Sequence, residues 1–132
     1  IKNLTLLDHC IKLIVKLNIK KILINSFYLK EQIDEFVKKH NYNIEIRVIE
    51  DGKKILDTGG GILNLIEKSE EENFLIFNPD TMWSENYTHE INQMINLYFN
   101  QKLKNLLKII VMISKLKFLK MAIIFLIQEA VS

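Results

Sequence analysis

Apolar side chains recur at helical spacing from the start of the chain. Leu7, Cys10, Ile11, Ile14 and Leu17 form one stripe, and Thr5 stands before it as an N-cap. The apolar run Lys21–Asn25 predicts a strand. Leu29, Ile33, Phe36 and Val37 give a second amphipathic helix that ends at the turn residues Asn41 and Asn43. Ile44, Ile46 and Val48 alternate with Glu45 and Arg47, the period of a half-buried strand. Ile62, Leu63 and Ile66 mark a short helix opening on a glycine triplet. Phe74–Phe77 reads as a fully buried strand, bounded by the acidic loop Glu70–Glu72 and by Pro79. Ile91, Met94, Ile95 and Tyr98 supply one more helical stripe, and Leu106–Ile113 predicts a last strand.

Helices alternating with strands over short connections predict a parallel sheet flanked by helices. In such sheets ligands gather at the carboxyl ends of the strands. Two segments fall there: Asp57-Thr58-Gly59-Gly60-Gly61, leading into a helix, and Asn78-Pro79-Asp80, directly after the buried strand.

Composition narrows the class. With 132 residues and 48% apolar side chains, the chain has the makings of one folded domain; disorder and collagen-like architectures are excluded by the apolar content and by only four Gly and one Pro. Cys10 is the single cysteine, so no disulfide scaffold forms within the chain. The net charge of +2 gives no reason to expect nucleic-acid binding. No basic-then-apolar leader opens the chain, and a reduced, cytoplasmic setting is expected. Charge is unevenly placed: residues 101–132 hold six Lys against Glu129 alone, and no Gly or Pro follows Pro79. Four Lys interrupt 106–127, and its longest uninterrupted apolar run, Met121–Ile127, is too short to span a bilayer.

The candidate chemistry has two readings at each position. Three successive glycines let a flat ligand approach bare backbone amides at a helix start, or simply make a tight turn. Neither GxGxxG nor GxxxxGK[ST] is present. Asp80, a carboxylate at the rim of the sheet, suits Mg²⁺ completed by phosphate oxygens, or caps the Asn-Pro turn. Asn78 either fixes a nucleotide or fixes its own loop. Trp83 either stacks on a base or covers the loop. Asp51-Gly52-Lys53-Lys54 reads as a solvated turn near the same edge. His9, His40 and His89 lack metal-ligand spacing, Cys10 belongs to an apolar stripe, and no Ser or Cys nucleophile has an evident His partner.

Taken in order, Leu7-Asp8-His9, Asn25-Ser26-Phe27-Tyr28-Leu29 with Gln32-Ile33, Leu56-Asp57-Thr58-Gly59-Gly60-Gly61-Ile62 and Phe77-Asn78-Pro79-Asp80-Thr81-Met82-Trp83 resemble the sugar-1-phosphate nucleotidyltransferases. The branch they resemble comprises the short N-acetylmuramate-1-phosphate uridylyltransferases and mannose-1-phosphate guanylyltransferase-like enzymes, over about residues 4 to 105. The resemblance implies a three-layer α/β/α Rossmann-like fold with a mostly parallel sheet. It also implies a reaction in which a sugar 1-phosphate attacks the α-phosphorus of UTP or GTP and pyrophosphate leaves. Carried over, Asp80 would hold Mg²⁺, Asn78 would contact the nucleotide and Thr58, Gly59, Gly60 and Gly61 would face the base.

Two departures from the family pattern stand out. The family opens with a strand and a G-x-G-x-R loop followed by a Pro-Lys step, which grip the triphosphate. Neither that first strand nor that phosphate loop occurs in these 132 residues. This divides the chain into a partial nucleotidyltransferase domain, 1–105, and a divergent Lys-rich apolar tail, 106–132. A shift of reading frame in A/T-rich codons would produce such a tail, since Ile, Lys and Asn supply 52 of the 132 residues. Removing a central first strand is expected to leave an apolar opening in the sheet and a tendency to self-associate. The alternative function is a non-catalytic nucleotide-binding or regulatory module of the same fold.

Overall fold

The computed structural model describes residues 2–17, 19–80, 82–100, 109–111 and 123–127. They form a mixed α/β fold: α1 (Lys2–Val15), β1 (Ile19–Ser26), α2 (Lys30–His40), β2 (Glu45–Glu50), α3 (Thr58–Glu67), β3 (Phe74–Phe77), α4 (Tyr87–Asn100), β4 (Ile109–Val111) and β5 (Ile123–Ile127). The expected helices and strands up to residue 100 are all present. Thr5 lies within α1 rather than capping it, because the helix already begins at Lys2. Of the predicted strand Leu106–Ile113, residues 109–111 are β4; its other residues, and most of the 106–132 tail, lie outside the described residues.

The five strands form one sheet in the order β2-β1-β5-β3-β4. β1 pairs with β2 and β3 with β4 in parallel, whereas β5 is antiparallel to both of its neighbours, β1 and β3. A mostly parallel sheet was expected, so the central position differs from expectation. The opening anticipated in the middle of the sheet is filled by residues 123–127 of the tail. The reason is legible in the residues: Ile-Ile-Phe-Leu-Ile is the kind of unbroken apolar run that a strand with neighbours on both edges requires.

Alternation along the strands divides the core between the two faces of the sheet. Ile22 and Ile24 of β1 and Leu75 and Phe77 of β3 meet α1, α2 and α4, through Leu7, Ile11, Ile14, Ile33, Ile91 and others, all buried. Leu23, Ile49, Phe74 and Ile76 point the other way and are covered by Leu65 of α3. Each fully buried Leu or Ile contributes roughly 1.5–3 kcal/mol of transfer free energy. The helical stripes are displaced slightly from expectation: Leu65, not Leu63, is the buried apolar side chain of α3, and Met94 of α4 is exposed. α2 stops at Asn41, which takes the left-handed conformation at φ 45° and returns its N–H to the carbonyl of Val37. Tyr42 then donates its hydroxyl to Asp8 of α1 at 2.6 Å, tying the α2–β2 connection to the first helix.

Among the described residues no helix is long and apolar enough to cross a membrane. Of the Lys-interrupted segment 106–127, residues 109–111 and 123–127 are described, and both are strand.

Candidate functional site

Because β5 is antiparallel to both β1 and β3, those two strands run in the same direction, and their parallel partners β2 and β4 follow them. The carboxyl ends of β1, β2, β3 and β4 therefore share one edge of the sheet. Ile24 and Phe77 are both in register with Ile123, which sets Asn25 and Asn78 at the same level on either side of β5. Two interstrand spacings put them roughly 10 Å apart.

At the β1 end, Asn25 is 2% exposed and Ser26 fully buried, with the Ser26 hydroxyl donating to the carbonyl of Tyr28. Asp51, the residue after β2, extends the ladder by donating its N–H to the Ser26 carbonyl at 3.2 Å. The glycine segment arrives over these residues as the first turn of α3. Asp57 is the N-cap: its Oδ1 accepts from the Gly60 N–H at 2.6 Å, and its carbonyl accepts from the Gly61 N–H at 2.9 Å. The cap was not anticipated, and it changes what the loop can do. Two of the amides read as bare are already satisfied, and the positive end of the helix is already faced by a carboxylate. Such a loop suits a neutral flat group better than a phosphate.

Gly61 is where a side chain has no room. A Cβ there would lie 2.6 Å from Asn25 Nδ2, closer than carbon and nitrogen can stand, so α3 meets β1 through a bare backbone. At Gly60 the nearest atoms would be Asp57 Oδ1 at 3.2 Å and Leu56 Cβ at 3.3 Å, while at Gly59 only Asp57 Oδ1 at 3.6 Å is near. The triplet is thus graded: Gly61 is required by packing and Gly59 is not.

At the β3 end, Pro79 and Asp80 are buried, the latter 9% exposed, and Asn78 is partly buried. Trp83 donates its indole N–H to the Asn78 carbonyl at 3.1 Å and sets its ring edge-on to Phe77, with centroids 4.9 Å apart. That is the covering role. Trp83 packs onto the core face of β3 while bracing the turn that carries Asp80.

Several side-chain oxygens along this edge are shielded from solvent and accept no hydrogen bond among the described residues: Asn25 Oδ1, Asn78 Oδ1 and both carboxylate oxygens of Asp51. Buried polar atoms are nearly always paired, so this concentration is unusual. It also corrects the reading of Asp51 as part of a solvated turn; only Gly52, Lys53 and Lys54 of that turn are exposed. The sequence pattern missed Asn25 and Asp51 as site residues, because Asn25 ends an apolar run and Asp51 opens a Gly-Lys-Lys turn.

No group of three or more His, Cys, Asp or Glu able to hold a metal occurs among the described residues. Mg²⁺ nonetheless fits the donors present. It takes one or two protein carboxylates and fills its shell with water and phosphate oxygens, and Asp80 with the Asn78 amide oxygen supplies hard oxygen ligands of that kind.

The remaining candidates are structural. Cys10 is buried, and burial pushes its thiol up to about 12, which keeps it unreactive. His40 contacts the Phe36 carbonyl at 2.8 Å and His89 contacts Gln93 at 2.9 Å, each within its own helix, and His9 is exposed. Compared with protein-family models, curated proteins and solved structures, the chain matches none.

Proposed function

We propose that this chain carries the nucleotide-binding part of a sugar-1-phosphate nucleotidyltransferase, on a Rossmann-like three-layer sheet whose central strand is β5. One observation carries the reading. The glycine-started helix, through the approach of Gly61 to Asn25, and the Asn78-Pro79-Asp80 turn, 17 residues on from Gly61 to Asn78 and placed by strand register, lie at one edge of one sheet. Open α/β sheets bind their ligands at that edge.

In this reading the nucleobase lies against Thr58, Gly59, Gly60 and Gly61, where Asp57 has already neutralised the helix end. The phosphates extend toward Asn78 and Asp80. Asp80 and the Asn78 amide oxygen would hold Mg²⁺, which when bound would draw charge from the triphosphate oxygens. An oxygen of the sugar 1-phosphate forms a bond to the α-phosphorus, the bond from that phosphorus to the β-phosphate oxygen breaks, and pyrophosphate departs. The chain's own share is alignment: Pro79 and the Trp83 indole hold the Asp80 turn still, and the Gly61–Asn25 contact fixes the base loop relative to β1.

A second reading, a nucleotide-binding module without turnover, is favoured by the antiparallel β5 at the centre of the sheet. Pyrophosphate release from UTP or GTP with a sugar 1-phosphate separates the two readings.

Trp83 is the single tryptophan and is bonded to Asn78, so its fluorescence reports on the site. Titration with UTP and GTP, with and without Mg²⁺, is expected to change that signal only when the metal is present, and Asp80→Ala should weaken the response about tenfold or more. Equal binding with and without Mg²⁺ would remove Asp80 from the metal role.

A further inference from the structure

α3 has its glycine turn over Asn25, at the end of β1, and from there runs back along the sheet. Lys68, its C-cap, therefore comes down beside Lys20 and Lys21 at the start of β1, on the edge opposite the glycine loop. A cavity of about 240 Å³ lies between them. Register places Arg47 of β2 directly across from Leu23 of β1, and Leu23 packs with Leu65 of α3. Leu23 is thus the apolar floor of the cavity, and the charged ends of Lys21, Arg47 and Lys68 stand around it.

Four cations, with Glu70 and Glu71, give the lining a net +2. Two of the cations are already matched: Lys20 pairs with Glu71 at 2.5 Å, and Lys21 pairs at 3.1 Å with Glu45, which stands outside the lining. Arg47, Lys68 and Glu70 form no ion pair among the described residues, so two positive charges remain beside one negative. Ser69 adds a donor, because its Oγ accepts from the Glu71 N–H at 3.2 Å and its hydroxyl proton is left to give.

These groups specify an oxyanion that still carries a proton. Its oxygens accept from the Arg47 fork, the Lys68 ammonium and the Ser69 hydroxyl, while its O–H donates to Glu70. Hydrogen phosphate has that proton at neutral pH, whereas sulfate and carboxylates do not and would meet Glu70 with like charge. The cavity is smaller than the roughly 300–1,000 Å³ of pockets for larger ligands, which keeps a nucleotide out. Glu67 and Glu72, exposed on either side of the lining segment, disfavour an extended polyanion.

We propose that this cavity is a phosphate site, separate from the nucleotide edge, in which hydrogen phosphate joins Lys68 at the end of α3 to Arg47 on β2. The assignment stands apart from the nucleotidyltransferase reading.

The test is amide NMR of the 132-residue chain titrated at neutral pH with inorganic phosphate, sulfate or chloride at matched ionic strength. Phosphate is expected to shift the amides of Lys20–Leu23, Arg47 and Lys68–Glu71 saturably, sulfate to do so several-fold more weakly, and chloride to leave them unmoved. Arg47→Gln and Lys68→Gln should each weaken phosphate about tenfold, whereas Lys39→Gln, which removes the same charge from the surface of α2, should not. Glu70→Gln should bring sulfate level with phosphate. All four side chains are exposed, so the variants keep the fold. Shifts that chloride reproduces, that do not saturate, or that centre on Thr58–Gly61 and Asn78 overturn the assignment. So does a Lys39→Gln variant that weakens phosphate as much as Arg47→Gln, or sulfate that binds the unaltered chain as tightly as phosphate.

Discussion

Gly61→Ala is the perturbation with the clearest consequence. The added methyl would sit 2.6 Å from Asn25 Nδ2, and reaching an ordinary contact of 3.4 Å or more requires the Asn25 amide, or α3 itself, to give way by about 0.8 Å. Asn25 is 2% exposed, so its amide has to turn within the protein interior rather than out into solvent. Overpacking of this size costs roughly 1–3 kcal/mol. Replacing Gly by Ala within a helix returns about 1 kcal/mol of propensity. The net effect runs from about zero to a loss of about 2 kcal/mol. Gly59→Ala collects most of the propensity gain without the clash, since its nearest neighbour would be Asp57 Oδ1 at 3.6 Å. The two variants should therefore differ by roughly 1–3 kcal/mol, or about 4–12 °C in Tm for a chain of this length. Thermal melts followed by circular dichroism read the order: Gly59→Ala highest, Gly60→Ala between, Gly61→Ala lowest. Asn25→Ser removes the clashing amide and should restore part of the loss in the Gly61→Ala background. A Gly61→Ala variant that melts as high as Gly59→Ala would refute the claim that bare backbone is needed where α3 crosses β1.

Three further outcomes follow. Phe125→Pro places a residue without an N–H in a strand paired on both edges, opposite Ile22 and Leu75, and should cost about 3 kcal/mol or more in urea unfolding; an unchanged midpoint would deny β5 its central place. Asp8 is held below its ordinary range: burial raises it, but the hydrogen bonds from Lys12 and Tyr42 and the charge of Lys12 outweigh that. Its contribution is complete above the unfolded value near 3.8 and is lost as pH falls through the lower folded value, so Asp8→Asn should flatten the loss of stability below about pH 4 in denaturant titrations. Trp83→Ala removes a half-buried indole from Phe77 and a hydrogen bond from Asn78, and should lower stability by about 2 kcal/mol while weakening nucleotide binding; intact binding would free the Asp80 turn from its brace.

Elements with a repeated period were readable from the residues alone. Ile46 and Val48 alternate along one face of β2 with Ile44 just before it, and the stripe of α1 from Leu7 to Ile14, continued by Leu17 just past the helix, is buried as spaced. Short helices were harder, because a ten-residue helix defines its buried face by two or three side chains; the choice of Leu63 over Leu65 is an error of half a turn. β5 escaped because a short apolar run between Lys120 and Gln128 has no period of its own, and its place depends on a gap that only distant strands define. The same holds at the site. In the proposed site Asp80 and the glycines stand out by type and position, whereas Asn25 and Asp51 enter it only because β1, β2 and α3 converge on them.

The central claim is that one Mg²⁺–nucleotide bridges the glycine loop and Asp80. Mn²⁺ in place of Mg²⁺, added with UTP or GTP to the isotope-labelled chain, measures this directly through distance-dependent broadening of amide signals. The account predicts broadening centred on Asn78–Asp80 that extends to Thr58–Gly61, requires the nucleotide and disappears in Asp80→Ala. Broadening that centres elsewhere, or that persists unchanged without Asp80, would contradict it.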